Sequence, residues 1–303
     1  MSGTEAIGPS SHGLETRSDA DILALLSDGQ ERAVAAVRRA HKEIAAAAGA
    51  IADRTRRGGR IVYAGAGSSG LIAALDGMEL AGTFGWPDDR VAFVLASGDR
   101  IAPLTGAEED DPEAARAGIA ALGLGPSDVV IAVAASGTTP FTLAAVAEAK
   151  RAGAFTIGLA SNPGAPLLAA VDRAVFLDSG PEVVVGSTRM NAGTAQKAAL
   201  GMISSLAMMR LGRTHDGMMV DLRADNDKLR RRAAATVAAI AGCDTAAAGR
   251  ALAAAGGAVK RAVLVARGMT PAEAEALLDA AQGNLRAALA TIQVGTGGRR
   301  AGR

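Results

Sequence analysis

Two short stretches of this chain carry residue types suited to holding an anion. Gly65-Ala66-Gly67-Ser68-Ser69-Gly70 follows the β-branched run IVYA (61–64), and Ala135-Ser136-Gly137-Thr138-Thr139-Pro140 follows the run VVIAVAA (129–135). Glycines such as Gly67 and Gly137 let the backbone come close to a ligand. N–H groups at the start of a following helix point at a phosphate, and the hydroxyls of Ser68, Ser69, Ser136, Thr138 and Thr139 add donors. The first stretch also satisfies the G-x-G-x-x-G pattern of dinucleotide sites, but such a site wants a ribose-binding acid about 20 residues further on. The first acid after the second strand-like run is Asp99, too distant for that role. Neither loop holds the lysine of a Walker loop, which argues against a nucleoside triphosphate. One phosphate and several sugar hydroxyls fit both loops.

Acid–base chemistry must rest mainly on carboxylates. The only histidines are His12, His41 and His215, with no pair at helix spacing, and the single cysteine is Cys243. Metal binding, Ser-His catalysis and disulfides therefore have little to work with. Cys243 lies among alanines in a helix-like stretch and reads as a buried, inert thiol. Glu79 lies in the apolar helix-like run LIAALDGMELAG, where an unpaired carboxylate would be expensive, so function or a buried ion pair is expected. Glu108 opens the acidic run Glu108-Glu109-Asp110-Asp111, whose plain reading is a solvated helix N-terminus.

The elements that position these residues follow from periodicity. Apolar residues at helical spacing from Asp19 to Arg57 predict two lead-in helices. The short runs IVYA, VAFVLA (91–96), VVIAVAA, FTIGLA (155–160) and AVFLD (174–178) then alternate with helix-like segments. That alternation predicts an α/β fold, a parallel sheet flanked by helices on both faces, with ligands at the carboxyl ends of the strands. A long helix is expected over Gly193 to Arg210, its Met and Leu stripe serving core or subunit contact. Beyond Gly212 strand signals stop, and Ala-rich helices to about Ala290, one capped at Thr270-Pro271 before Glu273, predict a small C-terminal all-helical domain. The expected division is a helical lead-in at 1–52, a binding domain at 53–216, the helical domain at 217–290 and a disordered Gly/Arg tail at 291–303.

With 303 residues, 49% of them apolar, the chain can bury one good core or two modest ones. Its formal net charge of +1 comes with no basic stripe, which argues against nucleic acid or an anionic membrane as partner. The N-terminus lacks a basic start followed by an apolar stretch, and no later run is long enough to span a bilayer, so a cytoplasmic protein is expected.

The pattern resembles the sugar isomerase (SIS) domain and, within it, the N-acetylmuramic acid 6-phosphate etherase family. GAGSSG (65–70), LDGMELAGTFG (75–85), TGAEED (105–110), ASGTTP, SNPG (161–164), STRMNAGTAQK (187–197), MVDLRADNDKL (219–229) and GCD (242–244) are similar to that family in order and spacing. The likeness runs from roughly Thr4 to Ala290, and STRMNAGTAQK followed by MVDL and NDKL is its most specific part. The resemblance implies a homodimer, with no cofactor and no metal, that splits the D-lactyl ether of N-acetylmuramic acid 6-phosphate into D-lactate and N-acetylglucosamine 6-phosphate. It places the acid/base glutamate of an L-D-x-x-E segment on Glu79 and a second catalytic glutamate, of G-A-E, on Glu108. Gly67, Ser68, Ser69, Ser136, Gly137, Thr138 and Thr139 become phosphate and sugar contacts. The sequence departs from the pattern at Leu71, where the family carries arginine, at Leu80-Ala81-Gly82, where prolines are common, and at Ala6-Ile7-Gly8-Pro9.

Two other readings stand beside the lyase: a sugar-phosphate-sensing regulator without turnover, and an aldose–ketose isomerase. Helix arithmetic adds one expectation. If a helix starts near Ser69, Glu79 lies about 15 Å along its axis at 1.5 Å per residue. A hexose phosphate bridges that span poorly, so either the helix breaks near Gly77 or the partner subunit supplies the carboxylate to a shared active site.

Overall fold

The computed structural model describes residues 3–8, 11–98 and 106–297; Asp99, Thr105 and the end of the expected tail, 298–303, lie outside them. The chain divides into two compact units, residues 1–78 with 88–207 and residues 79–87 with 208–303.

In the first unit, helices α1 (Asp19–Arg39) and α2 (His41–Thr55) lead to a five-stranded sheet. Ser18 starts α1 as an N-cap, its hydroxyl accepting from Asp21 N–H. The strands are β1 (Ile61–Gly65), β2 (Val91–Leu95), β3 (Val129–Val133), β4 (Phe155–Ala160) and β5 (Arg173–Phe176), all parallel, in the order β2-β1-β3-β4-β5. Between them run α3 (Gly67–Phe84), α4 (Pro112–Ala121), α5 (Pro140–Arg151) and α6 (Pro166–Ala170), and α7 (Asn191–Arg210) follows. β1 and β3 are buried along their whole length, as continuous apolar strands covered on both faces must be. The edge strands β2 and β5 leave Phe93 and Phe176 partly in solvent.

Strand order reverses at β1. The chain steps from β1 to one side for β2 and crosses to the other side for β3, which opens a crevice at the carboxyl ends of β1 and β3. Those two ends are in register, Gly65 opposite Val133, so the loops that follow them are neighbours. At the opposite, amino end of the same strands, Asp128 ties β1 to β3. Its carboxylate accepts from Arg60 N–H at 2.7 Å, from the Arg60 guanidinium at 3.0 and 3.2 Å, and from Gly125 N–H at 2.9 Å.

The second unit holds α8 (Asp227–Ala241), α9 (Thr245–Ala254), α10 (Val259–Ala266), α11 (Pro271–Ala280) and α12 (Leu285–Gly297) around a core that includes Val237, Val263, Leu264 and Leu285. Asn226 and Asp244 cap α8 and α9, and Thr270 with Glu273 forms the expected capping box on α11. Three details differ from expectation. Strand structure does not stop at Gly212: β6 (Thr214–His215) and β7 (Met218–Met219) pair antiparallel across Asp216-Gly217, both at positive φ. Two-residue strands carry no periodicity, and Asp-Gly was the only available hairpin signal. Cys243 is half-buried in the turn between α8 and α9, after the left-handed Gly242, not within a helix. Helix α12 continues to Gly297, past the limit of 290 set for the helical domain.

The segment 79–87 is held within this second unit. The Arg213 guanidinium donates to the carbonyls of Phe84 and Gly85, both at 2.9 Å, and lies 5.1 Å from the ring centre of Trp86, which is buried. Asp221, of the MVDL stretch, presses its carbonyl so closely on Gly85 that a methyl group there would lie 2.1 Å from it, and its carboxylate pairs with the half-buried Lys260 ammonium at 2.5 Å. The MVDL stretch thereby clamps the C-terminal end of α3. Among the described residues no single helix is long and apolar enough to cross a membrane.

Candidate functional site

Helix α3 begins at Gly67, directly after β1, so the N–H groups of Gly67, Ser68 and Ser69 belong to its first turn, where no intrahelical acceptor is available. Ser69 is buried and Ser68 half-buried. Gly70 lets the helix close onto the strand: a methyl group there would meet the Gly65 carbonyl at 2.8 Å. The second loop ends in Thr139 and Pro140, which start α5 as N-cap and first-turn proline. Within it Ser136 Oγ accepts from Thr138 N–H at 3.2 Å and from the Thr138 hydroxyl at 3.0 Å. Gly137 is buried against Ala165, and Thr138 is exposed. Both predicted loops, with all their Ser, Thr and Gly residues, therefore lie side by side at the carboxyl end of the sheet.

The two predicted carboxylates are placed differently. Helix α3 is unbroken from Gly67 to Phe84, so the ten steps from Ser69 to Glu79 keep their full helical rise. Gly77 does not break the helix; it lets α3 pass over the stacked rings of Tyr63 and Phe93. Glu79 is exposed, and so are Leu75, four residues earlier on the same helix face, and the adjacent Met78, which with Leu75 makes an i, i+3 pair. The sequence reading expected function or a buried ion pair for Glu79 in its apolar run; within a single chain it stands in solvent on an apolar stripe. Glu108 is half-buried on the 3-10 turn Gly106–Asp110. Asp111, the last of the acidic run, does what the plain reading expected, capping α4 through Glu113 and Ala114 N–H.

Three further acids hold or line this region. Asp76, the aspartate of the L-D-x-x-E segment, accepts from the Tyr63 hydroxyl at 2.7 Å and from the Ser204 hydroxyl at 2.9 Å, which pins α3 to β1 and α7. Burial and the Asp76 charge push the Tyr63 phenol well above its usual range, so it stays a donor. Glu182, 1% exposed, accepts from Asn191 and Ala192 N–H at 2.9 and 3.0 Å and so caps α7, the helix of STRMNAGTAQK. Burial raises its carboxyl even against those two bonds. Glu109 is half-buried against Gly67, its carboxyl raised by burial and by Asp110. Sequence reasoning passed over all three. Asp76 was visible inside a quoted motif and Glu182 as a lone acid before VVV, whereas nothing separated Glu109 from its acidic neighbours. Two motifs separated along the chain also meet: buried Thr4 donates its N–H to Asn162 Oδ1 of SNPG at 2.8 Å.

Among the described residues no group of three His, Cys, Asp or Glu side chains is arranged to hold a metal ion. The donor set is one of hydroxyls, backbone N–H groups and carboxylates, which suits a phosphorylated polyol.

Comparison with known proteins agrees with this geometry. The SIS domain profile matches residues 26–161. A solved structure of a candidate phosphosugar isomerase involved in capsule formation in Bacteroides fragilis has the same fold at a TM-score of 0.50, with 19% identity, covering 65% of this chain and 94% of that one. The N-acetylmuramic acid 6-phosphate etherase of Deinococcus radiodurans is 46% identical over 288 residues, 94% of each chain. That of Streptomyces avermitilis is 42% identical over 290 residues, 95% of this chain and 93% of its own. Similar at this level along nearly its whole length, the chain belongs to the N-acetylmuramic acid 6-phosphate etherase family.

Proposed function

We propose that this protein is a carbon–oxygen lyase that converts N-acetylmuramic acid 6-phosphate to N-acetylglucosamine 6-phosphate and D-lactate, working as a homodimer without an added cofactor. The observation that carries the reading is the 46% identity to a named etherase across 94% of both chains. The paired hydroxyl loops at the switch point of the sheet support it: Ser68, Ser69, Ser136, Thr138 and Thr139, with the N–H groups of Gly67 and Gly137, would hold the phosphate and nearby sugar oxygens.

In the ring-opened sugar the C1 aldehyde acidifies the proton on C2. One carboxylate, Glu79 or Glu108, takes that proton. The resulting enolate pair expels the lactyl oxygen from C3, and the lactate leaves with a proton from the paired carboxylic acid. Water then adds across the new double bond, its hydroxyl to C3 and its proton to C2. Such a base works best with a pKa raised towards neutrality, which burial provides. The exposed stripe of Leu75, Met78 and Glu79 on α3 supports a shared site, because a second copy covering Leu75 and Met78 would also bury Glu79. The unbroken α3 supports it too, since the rise from Ser69 to Glu79 is about 15 Å.

Incubation with N-acetylmuramic acid 6-phosphate should release D-lactate and N-acetylglucosamine 6-phosphate in equal amounts, and Glu79→Gln should abolish the release. Tight phosphosugar binding with no lactate would favour a sensing role. Formation of a ketose phosphate without lactate would favour an isomerase.

A further inference from the structure

Gly67, the first residue of α3, has φ +54, and a methyl group built on it would stand 2.4 Å from Glu109 Oε1. Glycine is thus required twice over, by its backbone angle and by the carboxylate seated against it. That carboxylate comes from the turn Gly106–Asp110, which also bears Glu108. Among the described residues no donor or cation is paired with Glu109. Its neighbour Asp111 is engaged as the cap of α4 and Asp110 is exposed, whereas Glu109 is half-buried, its carboxyl raised by burial and by Asp110.

A half-buried carboxylate in that position is an acceptor without a donor. An ionised carboxylate can only accept, and half out of water beside Gly67 this one is placed to accept from a donor that a ligand brings. The groups at hand, the N–H groups and hydroxyls of Gly67, Ser68 and Ser69, suit an anion, so a ligand bound there meets two unlike surfaces. One side favours the phosphate. The other, against Gly67, repels an anion and accepts from a neutral donor.

We infer that Glu109 is a specificity-determining residue of this site, whose carboxylate selects a ligand with a hydroxyl or amide N–H a short reach from its phosphate. The inference rests on the phosphosugar reading given above and deepens it: the sugar, and not the phosphate alone, is recognised beside Gly67. A sugar phosphate satisfies both surfaces, whereas inorganic phosphate satisfies only the first.

The test is calorimetric binding of two probes, N-acetylglucosamine 6-phosphate and inorganic phosphate, to the full chain and to its Glu109→Ala and Glu109→Gln variants, with thermal unfolding as a control for folding. Loss of a hydrogen bond to a charged group should weaken the sugar phosphate by about tenfold or more in Glu109→Ala. Inorganic phosphate should bind that variant as well as, or better than, wild type, because a negative charge has left the cradle. Glu109→Gln keeps one acceptor oxygen and should fall between. Equal weakening of both probes at unchanged melting temperature, or no change for the sugar phosphate, would overturn the inference while leaving the phosphosugar site standing. If neither probe bound the wild-type chain, the site reading itself would fall and this one with it. If both alanine and glutamine variants melted early, Glu109→Asp, which keeps the charge and shortens the reach, would decide: selective loss of the sugar phosphate supports the inference, and wild-type discrimination overturns it.

Discussion

A methyl group added at Gly77 would lie 2.6 Å from Phe93 Cε1 and 2.7 Å from Tyr63 Cε2, closer than real contacts allow. Glycine to alanine inside a helix ordinarily stabilises by about 1 kcal/mol, but overpacking against two rings works against it by about 1–3 kcal/mol. The Tyr63 ring does not yield easily, since it is buried, stacked on Phe93 and bonded to Asp76. Gly77→Ala should therefore fail to stabilise and should lower the urea midpoint, the reverse of an ordinary helical glycine. The second residue-scale expectation concerns Ser136, whose oxygen already accepts from Thr138 and so is oriented to donate outward. Ser136→Ala should weaken phosphosugar binding by about 1.5–3 kcal/mol if that bond is to a charged oxygen. An unchanged dissociation constant by calorimetry would remove Ser136 from the ligand's contacts. At this scale the sequence was legible where a residue's chemistry is local. Ser68 and Ser136 announce themselves by standing beside glycines after strands. Asp76 and Glu109 do not, because their partners, Ser204 and Gly67, lie 128 and 42 positions away and are set by tertiary packing.

At the scale of elements, the five strands of the parallel sheet were legible within two residues at their ends, because their apolar, β-branched runs alternate with helix-like segments, whereas the two-residue strands β6 and β7 were not. The strand order was not legible: it depends on which edge each crossover takes, and no local run encodes that. Asp128 shows how the order is held. It bonds Arg60, at the start of β1, through backbone and side chain together, and both strands begin at that point. Burial alone would raise the Asp128 carboxyl, but the bonds from the Arg60 side chain, the Arg60 N–H and the Gly125 N–H outweigh it and hold the group below the usual carboxylate range. A depressed folded pKa stabilises above the unfolded value, near pH 4, and that stabilisation is lost as pH falls through the folded value. Asp128→Asn should thus lower stability at pH 7 by about 1.5–3 kcal/mol and flatten the acid limb of the stability curve. Activity per folded molecule should be unchanged, since Asp128 is at the amino end of the sheet and the loops are at the carboxyl end. A mutant with normal stability but lost turnover would contradict this placement.

On the proposed reading, with Glu79 as acid/base in a homodimer, the question for the whole molecule is which chain supplies Glu79, and the continuity of α3 sharpens it. Of the two routes open from the sequence, a helix break at Gly77 or a partner's carboxylate, the break does not occur, because Gly77 serves packing over Tyr63 and Phe93 instead. The end of α3 is also held, with Arg213 on the Phe84 and Gly85 carbonyls and Asp221 against Gly85. In a two-fold dimer each site would then combine the loops of one chain with Glu79 of the other, and both sites would be equivalent. This predicts complementation. Glu79→Gln lacks the carboxylate, and Ser69→Asp sets a fixed negative charge in the phosphate cradle, so each variant alone should release no D-lactate. Mixed under conditions that exchange subunits, half of the dimers become heterodimers, and each of these pairs the intact loops of one chain with the intact Glu79 of the other at one of its two sites. D-Lactate release should therefore recover to about a quarter of the wild-type rate. If exchange is demonstrated by differently tagged chains and no activity returns, Glu79 serves the loops of its own chain, and the span along α3 must be bridged within a single subunit.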